Sequence, residues 1–71
     1  MARLSLQQKL GKKIKTLRAD KGFTQDKLGE ITGLDRSYIS DIERGVRNPG
    51  LKNIEKLAKA LGVKISDLTN F

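Results

Sequence analysis

The chain contains no cysteine, no histidine and no tryptophan, and only one proline. Without cysteine, neither a disulfide nor a thiolate–metal site can staple the fold. Without histidine, the commonest general base and metal ligand is missing. The acidic residues read as helix caps or ion-pair partners, so no general acid–base pair stands out. Nothing suggests an enzyme, a metal site, a cofactor or a small-molecule ligand. No apolar run approaches the ~20 residues needed to span a bilayer. The N-terminus, MARLSLQQKL, lacks the long apolar core of a signal peptide. A cytoplasmic protein is the simplest expectation. Aromatics are scarce, with one Tyr and two Phe, so any core must rest on Leu and Ile. No run alternates over several positions as a half-buried strand would.

What remains is an all-α pattern. Seventy-one residues, 37% of them apolar, suit one small domain spanning 1–71, near the lower end of what folds alone. A first helix is expected from about Ser5 to Lys21, where Leu6, Leu10, Ile14 and Leu17 draw one apolar stripe. Gly22 stops it. Thr24 caps a second helix that ends at Gly33. Asp35 caps a third, which ends at Gly45. Gly50 opens a fourth, with Leu51, Ile54, Leu57, Ala58 and Leu61 as its stripe and Gly62 as its stop. Ser66 is expected to cap a last short helix holding Leu68. Apolar period and stop signals agree at four glycines, which supports five helices.

The segment Gln25–Arg44 is the most informative. Two short helices meet over a glycine turn, and the apolar residues fall where such a pair must pack. Leu28 and Ile31 share one face of the first, Leu34 plugs the corner, and Ile39 and Ile42 share one face of the second. A helix-turn-helix requires helices crossing at roughly 90–120° over a three- to four-residue turn. Gly29 supplies the small residue at the crossing, and Gly33 tolerates the turn. The outer face of the second helix carries Arg36, Ser37, Tyr38, Ser40 and Asp41, groups able to hydrogen-bond base edges in a DNA major groove. An ordinary helical hairpin is the plainer alternative.

The stretch FTQDKLGEITGLDRSYISDIERGVRNPGLKNIEKLAKALGV resembles the Cro/C1-type helix-turn-helix domains of phage repressors and related regulators. The resemblance runs from about Leu10 to Leu68. Its marks are Gly22 with Thr24-Gln25, the Leu34 corner, and Ile42-Glu43-Arg44-Gly45 followed by Asn48-Pro49. LDRSYISDIERGVRNP is most similar to the small controller proteins of restriction–modification systems. The resemblance implies a compact five-helix, lambda-repressor-like fold. It also implies sequence-specific binding to a double-stranded DNA operator, usually as a symmetric homodimer.

Residue by residue, the resemblance places Gln25 on a phosphate, in keeping with anion binding at helix N-termini. Thr24 is its neighbour at the cap. Arg36, Ser37 and Ser40 correspond to base-reading positions. A bidentate Arg36–guanine contact is worth roughly 1–3 kcal/mol of discrimination. Tyr38 either contacts the sugar–phosphate backbone or packs as a half-buried aromatic. Arg44, Arg47 and Asn48 suit phosphate, with Arg47 also a base-reading candidate. Asp41 either accepts from a cytosine amino group or pairs with a neighbouring arginine. Glu43 is expected to pair with Arg18 on the first helix, as a structural tie rather than a DNA contact. The family usually has alanine where this chain has Gly29, and mid-helix glycine costs roughly 1 kcal/mol. Gly29→Ala is therefore expected to stabilise.

The net charge is +7, which favours a polyanionic partner. It is unevenly spread: residues 1–24 carry +6, residues 25–48 carry −1, and residues 49–71 carry +2. The reading segment is near neutral, so attraction to phosphate must come from its flanks. Arg3, Lys9, Lys12, Lys13 and Lys15 are candidates, with Lys56 and Lys59, and Lys52 is the best placed because it begins a helix after the loop. Self-association would use Leu51, Ile65, Leu68 or Phe71, unless these complete the monomer's core. The leading expectation is a transcriptional regulator on a palindromic operator, associated with the nucleoid when bound. An antitoxin or adaptor on the same fold is the alternative, disfavoured by the lack of a tail beyond Phe71. A membrane-active peptide fits poorly, because surface peptides usually offer one amphipathic helix.

Overall fold

The computed structural model describes residues 3–70. It contains five helices: α1 (Leu6–Asp20), α2 (Gln25–Thr32), α3 (Arg36–Glu43), α4 (Leu51–Leu61) and α5 (Ile65–Thr69). No strand occurs among the described residues. The first three helices start where a side chain offers an acceptor to the first free N–H groups. Ser5 Oγ accepts from Gln8 N–H, and the Gln8 side chain accepts in return from Ser5 N–H, which satisfies two free donors at once. Thr24 Oγ1 accepts from Lys27 N–H at 3.0 Å, and the Asp35 carboxylate accepts from Ser37 N–H at 2.8 Å.

The turn between α2 and α3 depends on Gly33, whose φ of 76° lies in the left-handed region where a side chain is strained. Gly22, Gly45 and Gly62 take similar values after α1, α3 and α4. Thr32 Oγ1 donates to Leu28 O and accepts from Leu34 N–H, which closes the corner around Leu34.

The core is built from Leu10, Ile14, Leu28, Ile39, Ile42, Leu57, Ala58, Leu61 and Leu68. It joins all five helices, with α1 and α2 packed on α3 and α4 and α5 closing the far side. Each fully buried Leu or Ile contributes about 1.5–3 kcal/mol. Among the described residues, no buried side-chain polar atom lacks a partner.

The structure corrects the sequence-based pattern at several points. Leu6, Ile31 and Leu51 are 71%, 46% and 73% exposed. Leu6 and Leu51 occupy the first turns of their helices, where the stripe continues but no other helix reaches far enough to cover it. Ile31 lies about 60° around the helix from Leu28, off the narrow strip that α2 buries. Leu68 is fully buried, so it completes the monomer's core and is not available for self-association. Phe71 lies outside the described residues. Lys64, not Ser66, is the N-cap of α5. The cap is supplied from inside the helix, where the Asp67 carboxylate accepts from Lys64 N–H at 2.9 Å.

Gly29 is corrected too. A Cβ there would stand 2.7 Å from Leu34 O, so alanine would have to push the corner's backbone aside. A second close approach involves Gly11 of α1. A Cβ at Gly11 would lie 2.2 Å from Ile42 O and 2.8 Å from Glu43 O. The absence of a side chain at Gly11 is what lets α1 lie directly on the end of α3.

Candidate nucleic-acid interface

The end of α3 is locked to α1 by an ion pair. Arg18 Nε donates to Glu43 Oε2 at 2.6 Å and Arg18 Nη2 donates to Glu43 Oε1 at 2.9 Å. The same guanidinium donates through Nη1 to Phe23 O at 2.8 Å. Side-chain exposure is 15% for Arg18 and 3% for Glu43. Hydrogen bonding to Glu43 pushes the Arg18 pKa above the usual guanidinium range, and the carboxylate's charge acts the same way, against the opposing effect of burial. This is a structural tie with two-point geometry, the strong form of such a pair.

The tie extends to Gln25. Gln25 Nε2 donates to Glu43 Oε1 at 3.1 Å, which fixes the first residue of α2 relative to the last residue of α3. Sequence spacing gave no sign of this bond, because an exposed-looking amide eighteen positions away carries no periodic signal.

Gln25, Arg36, Ser37, Ser40, Asp41 and Arg44 line one shallow concavity of about 270 Å³. It therefore brings together three of the base-reading candidates, Asp41 and two phosphate candidates. Arg36 is paired with Asp26 of α2, Nε to Oδ1 at 3.4 Å. Asp41 receives a hydrogen bond from Arg44 Nη2, the pairing that was one of its two expected roles.

Tyr38 and Arg47 sit apart from this concavity. Tyr38 is half-buried against the core, and its hydroxyl accepts from Asn53 Nδ2 of α4 at 2.9 Å. The Arg47 guanidinium lies over the Tyr38 ring at 4.8 Å, within cation–π range. Tyr38 thus has a packing role, and it gives the loop arginine a platform. Asn53 went unnoticed in the sequence; its one signal was a polar residue beside Ile54 in the apolar stripe. Asn48 and Lys52 are both exposed. The N-terminus of α4 has no side-chain cap, so the partial positive charge at that end stands beside Lys52.

Among the described residues, no cluster of acidic side chains could hold a metal ion, and no helix is long and apolar enough to cross a membrane.

Comparison with known proteins gives consistent matches. A family model described as helix-turn-helix matches residues 14–68. The control protein C.BamHI of Bacillus amyloliquefaciens is 52% identical over 62 residues, covering 86% of this chain and 76% of that protein. The restriction–modification controller protein C.AhdI from Aeromonas hydrophila superposes with a TM-score of 0.85 at 45% identity, over 87% of this chain and 94% of that one. SinR, a master regulator for biofilm formation solved in complex with DNA, superposes with a TM-score of 0.80 at 37% identity, over 83% and 95%. Some relatives are longer, and the chain spans 40% of one of them.

Proposed function

Because this chain belongs to the Cro/C1-type helix-turn-helix family, we propose that it is a sequence-specific transcriptional regulator, not an enzyme, that binds double-stranded DNA as a homodimer. In this reading α3 enters the major groove of a palindromic operator. Arg36, Ser37 and Ser40 face base edges, Asp41 holds Arg44 beside them, and Arg47 reaches from its platform on Tyr38. Thr24, Gln25, Arg44, Asn48 and Lys52 hold the backbone on either side, and Tyr38 serves as packing and as the support of Arg47. The observation that carries the reading is the concavity of Gln25, Arg36, Ser37, Ser40, Asp41 and Arg44. It offers donors and acceptors on the outer face of a helix whose inner face is wholly buried.

The division of labour follows from charge. The start of α3 already carries the Asp35 carboxylate, which accepts from Ser37 N–H, and its negative charge disfavours a phosphate there. The uncapped start of α4 beside Lys52 is better suited to an anion. Leu51 is the most exposed large apolar side chain among the described residues and remains a candidate for the subunit contact, whereas Leu68 does not.

Selection of bound duplexes from a random pool tests the reading. Two inverted half-sites with centres about 34 Å apart are expected. Each phosphate contact should add about −0.9 to the slope of log affinity against log salt. Light scattering of the protein without DNA should return twice the 7.9 kDa chain mass. Sequence-blind or salt-insensitive binding would overturn the assignment.

A further inference from the structure

Arg36 stands at the mouth of the concavity, but it is not the free cation that its position on α3 suggests. Its Nε lies 3.4 Å from Asp26 Oδ1, and Asp26 belongs to the first turn of a different helix, α2. The contact therefore crosses the helix-turn-helix corner and uses one specific edge of the guanidinium. A guanidinium has five N–H donors in a rigid planar fork. Nε is the guanidinium nitrogen nearest the carboxylate, which leaves the two terminal nitrogens able to present parallel donors to the O6 and N7 acceptors of guanine.

The rest of the surroundings favours orientation over simple neutralisation. Gln25, next to Asp26 in α2, is itself held by Glu43, so the start of α2 is fixed relative to α3. The other carboxylate of the concavity, Asp41, is taken up by Arg44, and Ser37 and Ser40 carry no charge to compete for Arg36.

Building on the DNA-binding reading, we propose that Asp26 is a specificity-determining positioning residue that holds the Arg36 fork toward a base edge and away from phosphate. In the cognate complex the Asp26–Arg36 pair persists while the free edge of Arg36 meets guanine. In a non-cognate complex Arg36 can reach phosphate only by leaving Asp26, which also leaves a carboxylate facing the polyanion. Asp26 thus favours the cognate mode and disfavours the other, which is how a repulsive element creates specificity.

The test compares wild type, Asp26→Asn, Arg36→Gln and the double variant on the duplex selected from a random pool and on a scrambled duplex of equal length. Both partners are exposed, and exposed pairs are weak, so the expected changes are about two- to fivefold. Asp26→Asn should weaken selected-duplex binding, strengthen scrambled-duplex binding, and relax base choice at one position of the half-site. In the Arg36→Gln background the same change should leave the ratio of the two affinities where it was. Equal strengthening on both duplexes would show a bare charge effect and overturn the proposal. So would an unchanged ratio in Asp26→Asn, or an effect that survives in Arg36→Gln. A wild-type protein that selects no sequence would overturn the DNA-binding reading and this proposal together; the other outcomes overturn only this one.

Discussion

Replacing Glu43 with alanine removes the acceptor of two Arg18 hydrogen bonds, at 2.6 and 2.9 Å, and of the Gln25 bond at 3.1 Å. What remains is an arginine that is 85% enclosed, with Phe23 O as its remaining protein acceptor. Breaking a buried pair by removing one partner costs about 3–5 kcal/mol, because the surviving charge is left without compensation. At about 0.05–0.15 kcal/mol per residue, a chain of this length has only about 4–11 kcal/mol to lose. Thermal midpoints of small domains move by about 4–8 °C per kcal/mol, so even the lower limit corresponds to a fall of about 12 °C. Thermal unfolding followed by circular dichroism reads this directly. A pH titration of Arg18 would not. Its pKa is raised, so its contribution is complete below the unfolded guanidinium value and fades only as pH climbs through the higher folded one, beyond any useful range. The partner experiment replaces both residues, Arg18→Met with Glu43→Leu. Apolar substitution of a whole pair is often neutral or better, so the double variant should melt well above Glu43→Ala. A Glu43→Ala midpoint within about 3 °C of wild type would refute the reasoning, as would a double variant that melts below it.

Three further outcomes are expected. Gly11→Ala and Gly29→Ala should each lower the melting temperature despite alanine's better helix propensity, because backbone oxygens stand 2.2 and 2.7 Å from the added Cβ and overpacking costs about 1–3 kcal/mol; a rise at either position would contradict the close approach. Leu68→Ala should cost about 2–5 kcal/mol as a core truncation, read by urea unfolding, whereas a folded variant of unchanged stability would return Leu68 to the surface. Lys52→Ala should weaken DNA binding without changing base preference and reduce the salt slope by about 0.9, and an unchanged slope would remove Lys52 from the phosphate contacts.

Helix number and helix ends were legible because they rest on local chemistry. Ser5, Thr24 and Asp35 accept from N–H groups two or three residues away, and the glycines after α1 to α4 adopt the left-handed conformation that other residues resist. Such interactions are encoded within a single turn of chain. Periodicity also identified the buried faces of α1, α3 and α4, whereas on α2 it grouped the exposed Ile31 with Leu28. It could not report how far a neighbouring helix extends, so Leu6 and Leu51 continue their stripes into solvent, and whether Leu68 serves self-association or the monomer's core stays open until the structure places it inside.

The candidate site divides in the same way. The polar outer face of α3 could be read as a list of residues. Their partners could not, since Asp26 with Arg36, Gln25 with Glu43, and Asn53 with Tyr38 join positions ten or more apart without any shared period. Gly29 is the sharpest case. Helix propensity alone favours alanine there, and the 2.7 Å approach of Leu34 O reverses that preference.

The sequence by itself determined five helices, the side-chain caps of the first three, the glycine corner between α2 and α3, and an uneven charge that leaves the reading segment near neutral. Only the tertiary structure decided which apolar residues are covered, why Gly11 has no side chain, and that Asp26 lies against Arg36 and Gln25 against Glu43. Caps and stops act across three or four residues, where the chain's own geometry brings the groups together. Close approach and ion pairing across helices depend on where separate elements come to rest, and that is settled when the whole core packs.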